Sequence, residues 1–186
     1  MKLILGLDVA TTTGFALYTV GETLSTIQTG TIKAHGENAE QKAAYLSAEL
    51  IRIFKQEKPN FVAIEEPLRN IVPFRKKSES FVGEVEQITI NPNTLQLSSM
   101  TGATVAILTG FKIPWVTIPS STWRKHFLGF GRKTGWKRED WKRATIERCR
   151  SLRIQVKNND AADAVGIAMA GAASQEFKLL NLEPSK

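Results

Sequence analysis

Four carboxylates occupy positions where catalytic groups are expected. Asp8 ends the apolar run L-I-L-G-L, Glu65 ends F-V-A-I-E, and Asp160 and Asp163 lie in N-N-D-A-A-D-A. Hydrolysis of a phosphodiester with a hard divalent cation needs several anionic oxygens that converge from separate rigid elements. Together the four acids therefore predict a hard-metal site of the kind that nucleases use.

Each carboxylate also has a structural interpretation. Asp8 could start a turn by accepting from the amides of residues 11–14. Glu65 should end a strand beside the first one, where two carboxylates repel each other unless a cation or proton lies between them. Asp160 and Asp163 are three apart and would share one helix face. A place near the positive helix terminus explains Asp160 well and Asp163 poorly, so Asp160 stays open between a ligand and a helix cap.

The hydrophobic pattern predicts an α/β fold. Short apolar runs predict strands at 3–9, 15–20, 29–34, 61–65 and 115–119. Helices are predicted over 38–58, 94–109 and 138–152, and a last one from about 159. A further short helix is predicted to begin with Ser120 or Ser121 as its cap. A helical crossover makes the 61–65 strand parallel to the first. Residues 66–92 show no period and are expected to form a long, mobile loop. This order fits a mixed sheet with helices on both faces.

Size and composition set further limits. A chain of 186 residues, 42% of them hydrophobic, is expected to form a single domain over residues 1–174, followed by a frayed tail at 175–186. Cys149 is the one cysteine, which excludes an internal disulfide and a cysteine-rich zinc site. The absence of a signal-peptide pattern and of a long apolar segment predicts a soluble, cytoplasmic protein without membrane contact.

The positive charge is concentrated in one window. Residues 124–150 hold ten Lys or Arg and three Asp or Glu, a local net charge of +7 that equals the net charge of the whole chain. So dense a cationic segment creates a local field suited to a polyanion. Nucleic acid is therefore the expected partner.

Four segments in order resemble the motifs of the RuvC-type Holliday-junction resolvases: G-L-D-V-A-T-T-T-G-F-A-L, V-A-I-E-E-P, L-Q-L-S-S-M-T-G-A-T-V-A-I and N-D-A-A-D-A-V-G-I-A-M-A. The resemblance implies a ribonuclease H-like fold with a mixed sheet of about five strands. It also implies a homodimer that depends on Mg²⁺, with Mn²⁺ able to substitute. The implied activity is the resolution of four-way DNA junctions by paired nicks in strands of like polarity.

The same resemblance assigns roles to individual residues. Asp8, Glu65, Asp160 and Asp163 become a metal-binding, catalytic tetrad. We expect Asp8 to bridge two Mg²⁺ ions about 3.5–4 Å apart, with Glu65 on one side and Asp163 on the other. Phosphates are expected to be bound by Arg124, Lys125, Arg132, Lys133, Lys137 and Arg138.

The chain departs from the family pattern after Glu65. The following segment is longer than in the bacterial members, and Pro67, Leu68 and Arg69 stand where the family tends to place an aromatic wedge. Phe74 is the candidate to replace that wedge at the junction. Of the tryptophans in the basic window, Trp141 is expected in a buried core or a dimer contact, although stacking on exposed bases is also open.

Three other functions compete with this interpretation. Another ribonuclease H-like nuclease, acting on RNA, RNA–DNA hybrid or general branched DNA, would share the metal site. A non-catalytic junction-binding protein would use the basic surface only. A sugar-kinase-like ATPase, suggested by D-V-A-T-T-T-G, would need a second phosphate motif and an adenosine site for which the chain has little room.

Overall fold

A computed structural model describes residues 1–67, 74–80, 83–89 and 92–182, with side chains for 1–67 and 93–182. Its strands are β1 (Leu3–Asp8), β2 (Thr12–Thr19), β3 (Gln28–Lys33), β4 (Phe61–Glu65), β5 (Phe74–Ser80), β6 (Gly83–Thr89) and β7 (Trp115–Ile118). Its helices are α1 (Ala39–Gln56), α2 (Pro92–Gly110), α3 (Ser120–Leu128), α4 (Arg138–Ser151), α5 (Asn159–Ala173) and α6 (Gln175–Leu182).

The central sheet has the strand order β3-β2-β1-β4-β7. Its first three strands in sequence form an antiparallel meander, whereas β4 runs parallel to both β1 and β7. Helices α1 and α2 cover one face, and α5 covers the other together with α3, α4 and α6. The predicted mixed α/β sheet of about five strands with helices on both faces is confirmed.

The alternation of side chains along β1 determines where its terminal acid points. Leu5 and Leu7 pack against α1 and α2, whereas Ile4 packs into the core around α5. Strand β4 alternates in the same way. Because successive side chains of a strand point to opposite faces, Asp8 and Glu65 both continue the α5 side.

Helix α5 approaches β1 closely because both present small residues. A methyl group added at Gly6 would lie 2.3 Å from the carbonyl oxygen of Ala164 and 2.6 Å from the amide nitrogen of Ala168. Both neighbours are backbone atoms of α5. The clash could therefore not be relieved by the movement of a flexible side chain. Glycine in β1 therefore sets the distance between the sheet and the helix.

The prediction of a mobile loop over residues 66–92 is wrong for its central part. Strands β5 and β6 form an antiparallel hairpin with Phe74 opposite Thr89, and α2 already begins at Pro92. The segment F-R-K-K-S-E-S lacks apolar alternation, which is the main sequence signal for a strand. Backbone pairing between two neighbouring segments forms this hairpin without that signal.

Two helix boundaries also differ from expectation. The tail expected to be frayed after Ser174 is helical as far as Leu182, because Phe177 is 2% exposed and its ring lies 5.4 Å from that of Phe61. The cap position of α3 is Pro119, with no side-chain hydrogen bond, rather than Ser120 or Ser121. Among the helices described, none combines the length and apolarity needed to cross a membrane.

Replacing Gly6 by Ala tests the close contact between β1 and α5. The added methyl group would meet backbone atoms, so the substitution is expected to lower the free energy of unfolding by about 1–3 kcal/mol in urea denaturation. Gly102→Ala is the control, because a methyl group there meets nothing within 4 Å. That variant should gain up to about 1 kcal/mol from helix propensity. Equal effects of the two changes would contradict this account of the packing.

Candidate functional site

Asp8 and Glu65 lie side by side at the ends of adjacent parallel strands. Leu7 pairs with Ile64, so the two acids are the next residues in register. The two carboxyl groups are close enough that Glu65 raises the pKa of Asp8. The geometry thus places two acids where the sequence predicted them to meet.

Thr13, not Asp8, holds the turn that follows β1. The Thr13 hydroxyl donates to the carbonyl oxygen of Ala10 at 2.8 Å and accepts from the Ala10 amide at 3.3 Å. The hydrogen bonds across this turn are thus made by the Thr13 side chain. The turn-forming role considered for Asp8 is therefore taken by the buried Thr13. The Asp8 carboxyl group lies near the other acids instead.

Helix α5 brings two further acids to the same place. Asn158 caps the helix by accepting from the Ala161 amide at 3.0 Å, so Asp160 lies in the first turn without being the cap. Asp163 is one turn further on, and its charge interacts with those of Asp8 and Glu65. A methyl group at Gly14 would lie 1.9 Å from the carbonyl oxygen of Asp160, which shows how tightly the start of α5 sits on β2.

Like charges and burial raise the pKa values of two of these acids. Burial, followed by the charges of Glu65 and Asp163, raises the pKa of Asp8 from 3.8 to about 9. Burial and Glu65 likewise raise the pKa of Asp163 to about 7, against the opposing effects of the Arg124 charge and the nearby Thr145 hydroxyl. Asp8 is therefore protonated near neutral pH in the protein without metal.

The donor set fits a hard divalent cation. All four groups are carboxylates, the ligands that Mg²⁺ prefers in proteins. The raised pKa of Asp8 indicates that positive charge placed among these acids would stabilise their ionised forms. Within the residues described, no three His, Cys, Asp or Glu side chains are already grouped as ligands of one ion.

Two residues that the sequence analysis did not select position these acids. Trp123 is fully buried, and its indole Nε1 donates to Oε1 of Glu65 at 3.3 Å. The ring has space because Gly166 of α5 faces it, where a methyl group would be 2.7 Å away. Thr145, also fully buried, donates to the carbonyl oxygen of Trp141 at 2.9 Å and interacts with Asp163.

A second hydrogen-bonded group links the turn after β1 to α1 and α2. The Gln96 amide donates to the Thr11 hydroxyl at 2.7 Å, and the Lys42 ammonium group donates to the Gln96 carbonyl oxygen at 2.8 Å. Thr11 is three residues from Asp8, so α2 helps to hold the turn beside the acidic site. The only sequence signal for this link was that Gln96 lies in the L-Q-L-S motif.

The structure brings one predicted cationic residue to the acids. The Arg124 guanidinium lies between two rings, 5.1 Å from the centroid of Trp123 and 4.9 Å from that of Trp141, and its charge acts on Asp163. The remaining predicted phosphate ligands are exposed, on α3, in the loop that follows and at the start of α4: Lys125, Arg132, Lys133, Lys137 and Arg138. The cationic surface is thus continuous with the carboxylate site.

The predicted aromatic wedge is not tested by the structure. Phe74 is the first residue of β5, but its side chain lies outside the part described. Leu68 and Arg69 also lie outside the described residues. A role of Phe74 at the junction therefore stays a prediction.

Trp141 does not lie in the hydrophobic core, as one expectation had it. With Phe130 and Trp136 it forms a half-buried group, called here the aromatic cluster, whose ring centroids are 4.9 to 5.7 Å apart. None of the three belongs to the cores on either side of the sheet or packs against them. The cause is their position, in the loop after α3 and on the surface of α4.

Solved structures share the fold of this chain. The chain is similar to RuvC from Thermus thermophilus, with 15% identity and a TM-score of 0.63 over 96% of both chains. It is also similar to Thermus thermophilus RuvC in complex with Holliday junction substrate, with 16% identity and a TM-score of 0.65 over 97% of both chains. For the yeast mitochondrial Holliday junction resolvase Ydc2, identity is 13% and the TM-score 0.57, over 96% of this chain and 80% of that one.

The chain therefore has the α/β, ribonuclease H-like fold of the RuvC structures, as the sequence resemblance implied. No protein-family model matches the chain, and no curated protein matches it in sequence. The similarity is therefore one of fold. The assignment of the acids to a site rests on their positions in this structure.

The raised pKa values predict how stability depends on pH without metal. The folded protein binds protons on Asp8 and Asp163 more tightly than the unfolded chain, so stability should fall as pH rises from about 4 to about 9. Asp8→Asn removes the largest contribution and should raise the melting temperature at pH 8 in EDTA, by about 2–4 °C per kcal/mol of relieved repulsion.

Thermal melts between pH 5 and 9 measure this effect. The exposed acid Glu37, changed to Gln, is the control and should melt with the same pH dependence as the wild type. Added Mg²⁺ should stabilise the wild type at pH 8 and stabilise Asp8→Asn less. A melting temperature of the wild type that rises from pH 5 to pH 9 in EDTA would show that the acids do not repel each other.

Proposed function

We propose that this protein is a metal-dependent endonuclease that resolves four-way DNA junctions by paired nicks. The observation that carries the proposal is the meeting of Asp8, Glu65 and Asp163 at one place, with the surface of concentrated positive charge beside it. The similarity to Thermus thermophilus RuvC, solved with a Holliday junction substrate, supports a junction as the substrate.

The proposed metal ligands are Asp8, Glu65 and Asp163, with Asp160 as a fourth ligand or a neighbour that orients one. Mg²⁺, or Mn²⁺ in its place, would supply a Lewis acid for phosphodiester hydrolysis at this site. Trp123 would hold the Glu65 carboxylate in orientation by its hydrogen bond.

The cationic residues would bind and orient the DNA. Arg124, held between two tryptophan rings beside Asp163, is placed to contact a phosphate next to the acids. The exposed Lys and Arg residues of the basic window would bind neighbouring phosphates, which sets position and affinity rather than sequence. We also propose a homodimer, because two copies related by a two-fold axis match a substrate that must be cut at two equivalent places.

Asp8→Asn separates cleavage from binding. We expect this variant to lose cleavage of a four-way junction in Mg²⁺, by at least about 100-fold, because a ligand carboxylate is lost. Its affinity for the junction should stay within about twofold of the wild type, because phosphate contacts dominate binding. Denaturing gels measure cleavage, and gel shifts in EDTA measure affinity.

The controls of that experiment discriminate between the candidate functions. Glu37→Gln should cut as the wild type does, because this exposed acid lies outside the site. Equal cleavage of a junction, a linear duplex and an RNA–DNA hybrid would favour a general ribonuclease H-like nuclease. Junction binding without cleavage by the wild type in Mg²⁺ or Mn²⁺ would favour a binding protein. Cleavage by Asp8→Asn at the wild-type rate would show that the site is wrong.

The salt dependence of binding tests the basic loop. The double change Arg132→Ala and Lys133→Ala should weaken junction binding and reduce the slope of log affinity against log salt by about 1–2, since each lost phosphate contact lowers it by about 0.9. The matched control is Lys55→Ala with Lys58→Ala, two exposed cations at the end of α1, across the sheet. A slope that changes equally in both pairs would remove the loop from the interface.

A further inference from the structure

The aromatic cluster is an apolar surface that folding leaves uncovered. Phe130, Trp136 and Trp141 are each half-buried, and their rings touch one another instead of either core. A patch of large rings outside the core is a common mark of a binding surface. The cluster contains two of the four tryptophans of the chain. A molecule that binds here is therefore expected to stack on aromatic rings.

Two cations lie over the rings of this cluster. The Lys133 ammonium group lies 4.4 Å from the centroid of Trp136 and 5.2 Å from that of Phe130. Arg124 lies over Trp141 and also acts on Asp163. Arg124 therefore links the aromatic cluster to the carboxylates, and the two cations favour an occupant that is anionic as well as aromatic.

An open cleft beside the cluster gives the occupant space. Its volume is about 550 Å³, and Phe130 and Trp136 form part of its wall, with His126, Glu147 and Arg148 among the other lining residues. The Nε of Arg148 donates to the carbonyl oxygen of Phe127 at 3.1 Å, which fixes the guanidinium and leaves its terminal nitrogens to meet an anion. A flat ring with a phosphate attached fits this combination.

We propose that the aromatic cluster and its cleft bind an unpaired nucleotide of the branched DNA next to the scissile phosphate. This inference rests on the proposed function, because it adds a substrate contact to that site. Bases inside a duplex are stacked on both faces, so only an unpaired base offers a free face to Trp136 or Phe130. Lys133 or Arg148 would hold the adjoining phosphate. The cluster would thereby favour DNA that is open at the crossover over fully paired DNA.

Binding measurements in EDTA, with Asp8→Asn as the parent protein, test this proposal without metal or cleavage. The probes are a thymidine oligonucleotide and a paired duplex of equal length. Adding Trp136→Leu should weaken binding of the single strand about tenfold, because stacking on a tryptophan is lost, and should change binding of the duplex less than twofold. The matched control is Trp115→Leu, because Trp115 is 38% exposed in the edge strand β7, away from the cluster.

Tryptophan fluorescence provides a second measurement with conservative changes. The thymidine oligonucleotide should quench the emission of the parent protein. The double change Trp136→Phe with Trp141→Phe should remove that quenching, whereas Trp115→Phe should retain it. Quenching that disappears only with Trp115→Phe would overturn the proposal.

Three other results would also overturn it. One is an equal loss of single-strand and duplex affinity in Trp136→Leu, which would make the residue a structural support. Another is single-strand binding in Trp136→Leu no weaker than in Trp115→Leu. The third is a change of oligomeric state in Trp136→Leu with unaltered single-strand affinity, which would make the cluster a contact between copies of the chain. Failure of junction cleavage by the wild type is a separate result that concerns the proposed function.

Discussion

Repulsion among buried carboxylates is the constraint on which the site depends. Asp8, Glu65 and Asp163 are held near one another with little positive charge among them, so the pKa of Asp8 rises to about 9 and that of Asp163 to about 7. Such an arrangement costs free energy that the rest of the fold must offset. A divalent cation bound among these acids would relieve that cost. Acids that repel one another in this way attract positive charge.

The packing of α5 keeps these acids together against their repulsion. The helix lies against β1, β2 and β4 through contacts in which one partner is glycine or alanine, at Gly6, Gly14 and the Ala63–Gly171 pair. Close approach of backbones leaves little room for the helix to move away from the sheet. The small residues of N-D-A-A-D-A-V-G-I-A-M-A-G-A-A therefore serve the site as well as the core. A larger side chain at any of these contacts would separate the acids that the fold brings together.

Much of this arrangement follows from the sequence, because it depends on local patterns. The apolar runs of β1 and β4 end in acids, the two-residue period places both acids on one face, and the small residues after Asp163 mark a helix that packs closely. The hairpin of β5 and β6 could not be predicted, because backbone pairing creates it in segments without an apolar pattern. The hydrogen bond from Trp123 to Glu65 joins residues 58 apart in sequence, and only the folded chain shows it.

Three successive residues of helix α3 contact different surroundings, because neighbouring residues on a helix point in different directions. Trp123 points inward and donates to Glu65, whereas Arg124 lies between aromatic rings with its charge directed at Asp163. Lys125 is exposed on the outer surface. Arg124 is half-buried and lies over the rings of Trp123 and Trp141, so its attraction to an anion is stronger than that of a fully exposed cation. Any shift of α3 would therefore alter the orientation of a carboxylate and the position of a cation together.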